Sequence, residues 1–261
     1  MEDRAFPATC FISSRVRHRV ATLSIREDVL IFVRRGVKTL QGGGIPVALK
    51  AGTSVVLARG SQWDVVNDPA PDGRYEALVL QFGDSAIEGF QRTHGSGFEA
   101  RRTDGCFVTS PDEGFVDLIL RAAHSIEAPG VSDRLRQHRV MELLLVLAEQ
   151  GCVLSPREAL SWPDRVRRLI ASRPHAAWTA ETMARACHTS ASTLHRRLAE
   201  HDLTVGALIR EIRLEMAMLL LQTTQLPVGE VAQRCGYDSH SRFSAVFKSR
   251  YGFLPSYLRS A

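Results

Sequence analysis

The chain has 261 residues, 44% hydrophobic and 23% charged. That length admits one large or two ordinary domains, and the composition excludes wholesale disorder and a collagen-like repeat. The net charge of +5 is unevenly placed: residues 156–261 hold 15 Lys+Arg against 9 Asp+Glu, and residues 1–155 hold 18 against 19. A basic C-terminal part on a near-neutral N-terminal part suggests that the first meets a polyanion and the second does not. No apolar run approaches the roughly 20 residues that span a bilayer, and MEDRAFPATC has no apolar stretch after its charges. Neither a membrane partner nor a signal peptide is therefore expected, and the protein reads as cytoplasmic. The five cysteines (10, 106, 152, 187 and 235) are scattered and odd in number. They read as small buried hydrophobes in a reducing compartment, with a redox sensor as the alternative.

Residues 16–82 contain short runs rich in Val, Leu, Ile and aromatics: VRHRVATLSI, VLIFVRRGVKTLQ, IPVALKAGTSVVLARG, QWDVVND and YEALVLQFG. Turn signals separate them at Gly42-Gly43-Gly44, Ala51-Gly52-Thr53 and the segment from Asn67 to Gly73. This spacing predicts a small β-barrel or sandwich. Ser110-Pro111-Asp112-Glu113 then predicts a helix start, followed by Phe115, Leu118, Ile119, Ala122 and Ile126 at helical spacing. A second helix is expected from Ser132 to Gln150, with Leu135, Val140, Leu143, Leu144 and Leu147 on its apolar side and Gly151 as its stop. The expected architecture is α+β in two domains: 1–153 a barrel with C-terminal helices, 154–163 a linker framed by Ser155-Pro156 and Trp162-Pro163, and 164–261 an all-α domain. The last has about seven helices, near 164–173, 180–187, 190–201, 204–222, 228–234, 239–250 and 255–260.

Within that all-α part lies an internal repeat. Met183-Ala184-Arg185-Ala186-Cys187 aligns with Val231-Ala232-Gln233-Arg234-Cys235, 48 positions later. Ser190, Leu194 and Leu198 then align with Ser239, Phe243 and Phe247 at an offset of 49. Each unit reads as short helix, tight turn, longer helix, the outline of a helix-turn-helix. Gly236 suits a positive φ in the second turn, His188 suits the first turn less well, and Ser190 and Ser239 are good N-caps. Stepping about 100° per residue from Leu194 puts Leu198 and Ala191 on the buried side, and Ser192, Arg196 and Ala199 opposite, with His195 at the edge. In the second unit Phe243 and Phe247 define the buried side; Ser241, Ala245 and Lys248 face outward, Arg242 and Ser244 flank them, and His240 sits in the first turn. Two such units joined by a helix of roughly 28 Å can place two recognition helices in successive major-groove faces of one duplex.

These residues resemble the DNA-binding domain of AraC-family transcriptional regulators from about Val166 to Arg259. The resemblance is carried by Trp178, Ala184, Ser190, Leu194, Leu198, Arg213, Ala217, Leu220, the run Cys235-Gly236-Tyr237-Asp238-Ser239, Phe243, Phe247-Lys248, Gly252, Pro255 and Tyr257-Leu258-Arg259. By position it implies DNA contacts from Ser192, His195 and Arg196 in the first unit. In the second it implies His240, Ser241, Arg242, Ser244, Ala245 and Lys248. Ala245 stands where the family often has arginine, and Asp202 where a glycine usually closes the first unit. The N-terminal half resembles, by strand pattern and domain order, the cupin-like sensor domain of such regulators.

The resemblance implies a sequence-specific transcriptional regulator, an activator rather than an enzyme, acting on double-stranded DNA with RNA polymerase. It further implies a homodimer joined through the N-terminal domain and controlled by a small-molecule effector or a regulatory protein. Phe32, Arg34, Trp63 and Phe82 are candidate effector-binding residues, with plain core packing as the alternative. No catalytic residue, cofactor or metal is expected, because His18, His94, His124 and His138 form no HxH pair. The rival readings are a cupin-type metal enzyme with an accessory DNA-binding domain, a non-specific DNA-coating protein, and a protein-interaction module.

Overall fold

The computed structural model describes residues 8–42, 46–98, 105–109, 111–156 and 161–259. The chain divides into two compact units, Met1–Arg157 and Glu158–Ala261. Gly43 and Gly44 of the first expected turn, Ser110 of the expected helix start and residues 157–160 of the expected linker lie outside the described residues.

The first unit is built on two antiparallel sheets. Its strands are β1 (Ala8–Ser14), β2 (His18–Ser24), β3 (Val29–Arg35), β4 (Val37–Gln41), β5 (Val47–Lys50), β6 (Ser54–Leu57), β7 (Gln62–Asp68), β8 (Tyr75–Gln81) and β9 (Cys106–Thr109). One sheet has the order β1-β8-β3-β6-β9 and the other β2-β7-β4-β5. The run VLIFVRRGVKTLQ reads as one strand but forms two, in different sheets. Gly36 is the corner, with φ +77°; a Cβ there would lie 2.3 Å from the Asp68 carbonyl oxygen, so only glycine fits.

Along the central strands the side chains alternate. Leu30, Phe32, Val56, Leu78 and Leu80 form a continuous cluster with the helices α1 (Asp84–His94), α2 (Glu113–Glu127) and α3 (Asp133–Glu149). Ile31, Val33, Val55, Leu57, Ala77 and Val79 are buried on the opposite face, toward the second sheet. α2 begins where Asp112 Oδ1 accepts from the Phe115 amide (2.8 Å), and α3 where Ser132 caps Leu135.

Leu135 itself is 42% exposed and not part of the apolar side, contrary to expectation. At about 100° per residue it stands about 180° from Leu144, so helical geometry turns it away from the core. β1, α1 and β9 have no counterpart in the expected element list. α1 offers only Ala86, Ile87 and Phe90 as buried residues, on a segment punctuated by glycines. The chain leaves the unit docked against it: Gln91 Nε2 donates to the Leu154 carbonyl (2.6 Å), and Arg59 reaches Asp28, Asp84 and the Ser155 carbonyl.

Between the sheets runs one polar row. Lys38 Nζ donates to Asn67 Oδ1 (2.7 Å) and lies 5.4 Å from the centre of the Tyr75 ring. Asn67 Nδ2 donates to His18 Nε2 (3.2 Å), which leaves the proton on Nδ1, 3.1 Å from the Val16 carbonyl. Burial pushes the Lys38 ammonium down to about 7 and lowers His18 as well.

The second unit is helical: α4 (Trp162–Ser172), α5 (Ala180–Ala186), α6 (Ala191–Ala199), α7 (Val205–Thr223), α8 (Val228–Arg234), α9 (His240–Tyr251) and a closing 3-10 turn, Pro255–Arg259. α4 starts two residues earlier than the spacing suggests. Ser161 caps it, and Trp162-Pro163 form its first turn, a position that proline's fixed φ favours. Val166 and Ile170 of α4, Met183 and Ala184 of α5, Leu194 and Leu198 of α6, and Val205, Leu208 and Ile212 of α7 share one apolar cluster. The other half of the unit packs on rings: Phe243–Phe247 at 5.6 Å, Phe247–Tyr251 at 4.7 Å, Phe247–Phe253 at 5.9 Å and Phe253–Tyr257 at 5.5 Å between centroids.

Candidate nucleic-acid interface

The two halves of the second unit repeat in backbone detail. α5 and α8 each end on a cysteine, Cys187 and Cys235, with the same φ −91° and ψ 6°. The next residue is left-handed in both, His188 at φ 52° and Gly236 at φ 79°. The residue after it closes the turn with a 2.9 Å bond five residues back, Thr189 to the Ala184 carbonyl and Tyr237 to the Ala232 carbonyl. His188 therefore adopts the conformation that suits glycine, which its polar side chain tolerates better than a β-branched one would. Ser190 and Ser239 then cap α6 and α9 through the amides of Thr193 and Arg242, both at 3.2 Å.

Arg213, in the middle of α7, locks the second turn to the segment before α5. Its Nε donates to the Pro174 carbonyl, Nη2 to Ala176 and Nη1 to Gly236, each at 2.9 Å. A side chain at position 236 would meet this guanidinium at 2.7 Å and Pro174 at 2.8 Å. α7 therefore fixes one helix-turn-helix against the other through a charge-assisted fork.

Capping and core contacts settle which faces remain outside. Leu194, Leu198, Phe243 and Phe247 are fully buried. Ser192, His195 and Arg196 on α6, and His240, Ser241, Arg242, Ala245 and Lys248 on α9, are exposed, while Ser244 is half-buried at the margin. Arg196 Nη1 lies 3.3 Å from Glu200 Oε1, and Arg197 Nη1 lies 3.5 Å from Glu200 Oε2. Among the described residues neither Arg242 nor Lys248 has a carboxylate partner. Arg197 and Glu200 are absent from the residues singled out by sequence, although their i,i+3 and i,i+4 spacing from each other and from Arg196 was readable. Asp202 sits at φ 56°, so it does occupy a left-handed closing position.

The four candidate effector residues do not converge. Phe32 and Phe82 belong to the cluster beneath α1, α2 and α3, Trp63 belongs to the second sheet, and Arg34 is exposed. Trp63 borders an open groove of about 300 Å³ with Thr22, Gln41, Gln62 and Asp64. Among the described residues no three His, Cys, Asp or Glu side chains group as metal ligands, and no helix is long and apolar enough to cross a membrane. The five cysteines are free, and burial raises the thiols of Cys10, Cys106, Cys187 and Cys235 above their ordinary value.

Paired helix-turn-helix motifs on one connecting helix, in one chain with a two-sheet domain covered by helices, define a two-domain DNA-binding regulator. The family described as "Helix-turn-helix domain" matches residues 183–261, and that described as "ExsA N-terminal regulatory domain" matches residues 28–152. Residues 183–261 are thus an AraC-type helix-turn-helix domain, and the two matches together give the domain pair of AraC-type transcriptional regulators.

The ornithine utilization regulator of Pseudomonas aeruginosa is 38% identical over 120 residues, 44% of this chain and 35% of that protein. A transcriptional activator named RhaS from Salmonella is 31% identical over 150 residues, 55% of this chain and 51% of that protein. The chain thus spans between about a third and a half of the curated relatives it matches. Across its whole length it has the fold of ToxT from Vibrio cholerae, with a TM-score of 0.69 at 15% identity, covering 99% of both chains. A second ToxT structure, described as unsaturated fatty acid bound, gives 0.64 at 14% identity, covering 99% of this chain and 96% of that one.

Proposed function

We propose that the protein is a sequence-specific transcriptional activator that places α6 and α9 in successive major-groove faces of one duplex. The observation that carries this reading is the backbone identity of the two turns, each presenting a capped helix whose outer face is polar. In this reading Arg196, Arg242 and Lys248 neutralise phosphates or reach base edges, and Ser192, His195, His240, Ser241, Ser244 and Ala245 complete the contact surface. The N-terminal unit dimerises and responds to an effector, and the complex recruits RNA polymerase in the cytoplasm. The relatives described as activators support the sign of regulation. The ToxT structures described with an unsaturated fatty acid and with a naphthalenyl-butenoic acid make apolar carboxylic acids the first effector class to test.

The deciding experiment selects bound duplexes from a random pool with the full chain and footprints the winners. Two protected segments about one helical turn apart, on one face of the duplex, are expected from a single chain. Protection without any preferred sequence would instead make this a DNA-coating protein.

A further inference from the structure

The two outward helices differ in how their charges are held. At offset 49, Arg196 and Arg197 of α6 and its C-cap Glu200 correspond to Ala245, Val246 and Ser249 of α9. Only the first unit therefore carries a carboxylate at the C-terminal end of its candidate recognition helix, where Glu200 is the C-cap. Glu200 divides its two oxygens, Oε1 to Arg196 and Oε2 to Arg197, at 3.3 and 3.5 Å. It sits about 40° around the helix from Arg196, beside the surface assigned to DNA. All three side chains are between 41% and 64% exposed, so the cluster is accessible to an incoming phosphate.

We infer that Glu200 is a specificity-determining residue of the first unit, one that restrains Arg196 and Arg197 from sequence-independent phosphate binding. The inference rests on the reading above that α6 enters the groove. A duplex that offers only phosphates must displace the carboxylate from the guanidiniums and bring its own negative charge close to Glu200. Counterion release, the main source of non-specific affinity, is reduced because the arginines already hold an internal anion. A matched sequence supplies Arg196 with base-edge acceptors in place of its Glu200 contact, and so loses less. The carboxylate thus lowers affinity for random DNA more than for the preferred site.

The test compares the full chain with Glu200→Gln, and with Glu230→Gln as a control. Glu230 binds Arg234 on α8 (2.7 Å), on neither candidate recognition helix, and its neutralisation changes the net charge equally. Binding to a duplex selected from a random pool and to a scrambled duplex is measured across a salt series, with melting temperature as the folding check. Glu200→Gln is expected to raise affinity for scrambled DNA about three- to fivefold, in line with two surface ion pairs. It should also steepen the log–log salt slope by about one phosphate and narrow the selected-to-scrambled ratio. Equal effects of the two variants, or an unchanged ratio, overturn the inference. Failure of the unmodified chain to bind any duplex would overturn the functional reading instead, so the two failures are separable. Ser249→Glu in the second unit supplies the converse: with Ala245 in place of arginine, it should weaken both duplexes alike.

Discussion

The two helix-turn-helix units share a backbone, a small alanine, a cysteine and a serine cap, but neither core chemistry nor reading surface. The first is packed with Met183, Leu194 and Leu198, the second with a chain of rings through Phe243, Phe247, Tyr251, Phe253 and Tyr257. The first turns on a histidine, the second on a glycine that Arg213 requires. The first places its cation at Arg196; the second has Ala245 there and puts Lys248 one turn later, opposite Ala199 of the first. The comparison teaches that turn shape is set by a few backbone devices: the left-handed residue, the bond that closes the turn and the serine cap. Core chemistry and the reading surface vary independently of those devices.

The largest test of that independence is Phe247→Ala. Loss of a ring that touches three others should cost about 3–5 kcal/mol, seen as an earlier urea midpoint, with the first unit's cluster failing in the same transition if the two units fold together. Next is Gly236→Ala, where a left-handed backbone and the 2.7 Å approach of Arg213 should together cost about 1–3 kcal/mol. Arg196→Ala should weaken binding to a selected duplex by about 1–3 kcal/mol at one base step. Equal loss on scrambled DNA would show that Arg196 reads no base, and Lys248→Ala is expected to give that uniform loss, with a shallower salt slope. The smallest effect belongs to His188→Gly. Relief at φ 52° is offset by the greater freedom of glycine in the unfolded chain, so stability should move by no more than about 0.5 kcal/mol. A large change there would mean that the two turns are not equivalent.

Much of this was legible from residues. The repeat and α8 at Val228–Arg234 follow from spacing, and both serine caps from capping chemistry, because local rules govern helix ends. The outward faces of α6 and α9 follow from helical periodicity once the buried leucines and phenylalanines are placed. The β-rich unit was less open. Its strands are short, and which sheet each joins depends on long-range pairing; nothing local marks Gly36 as a crossing between sheets. Leu135 misleads when hydrophobicity is read without phase: helical spacing sets it about 180° from Leu144, on the exposed side. The arginine–glutamate cluster shows in sequence only as i,i+3 and i,i+4 spacing, which does not say that one carboxylate holds both arginines. The effector residues could not be assembled from composition: Phe32 and Phe82 share the cluster under the helices, while Trp63 lies in the other sheet and Arg34 is exposed.

The amine of Lys38, enclosed between the sheets against the Asn67 amide oxygen and the Tyr75 ring, makes the N-terminal unit sensitive to acid. In the unfolded chain this group binds a proton below its ordinary value of 10.5; in the fold, burial delays protonation until about 7. The unfolded chain therefore carries more protons across that interval, and the fold gains stability as pH climbs through it and holds none of that gain below. His18, lowered for the same reason, extends the loss into the range below its ordinary 6.5. Replacing the ammonium by the thioether of Lys38→Met should flatten the upper part of this dependence in melting curves taken from pH 6 to 10. An unchanged slope would mean that water reaches the amine after all.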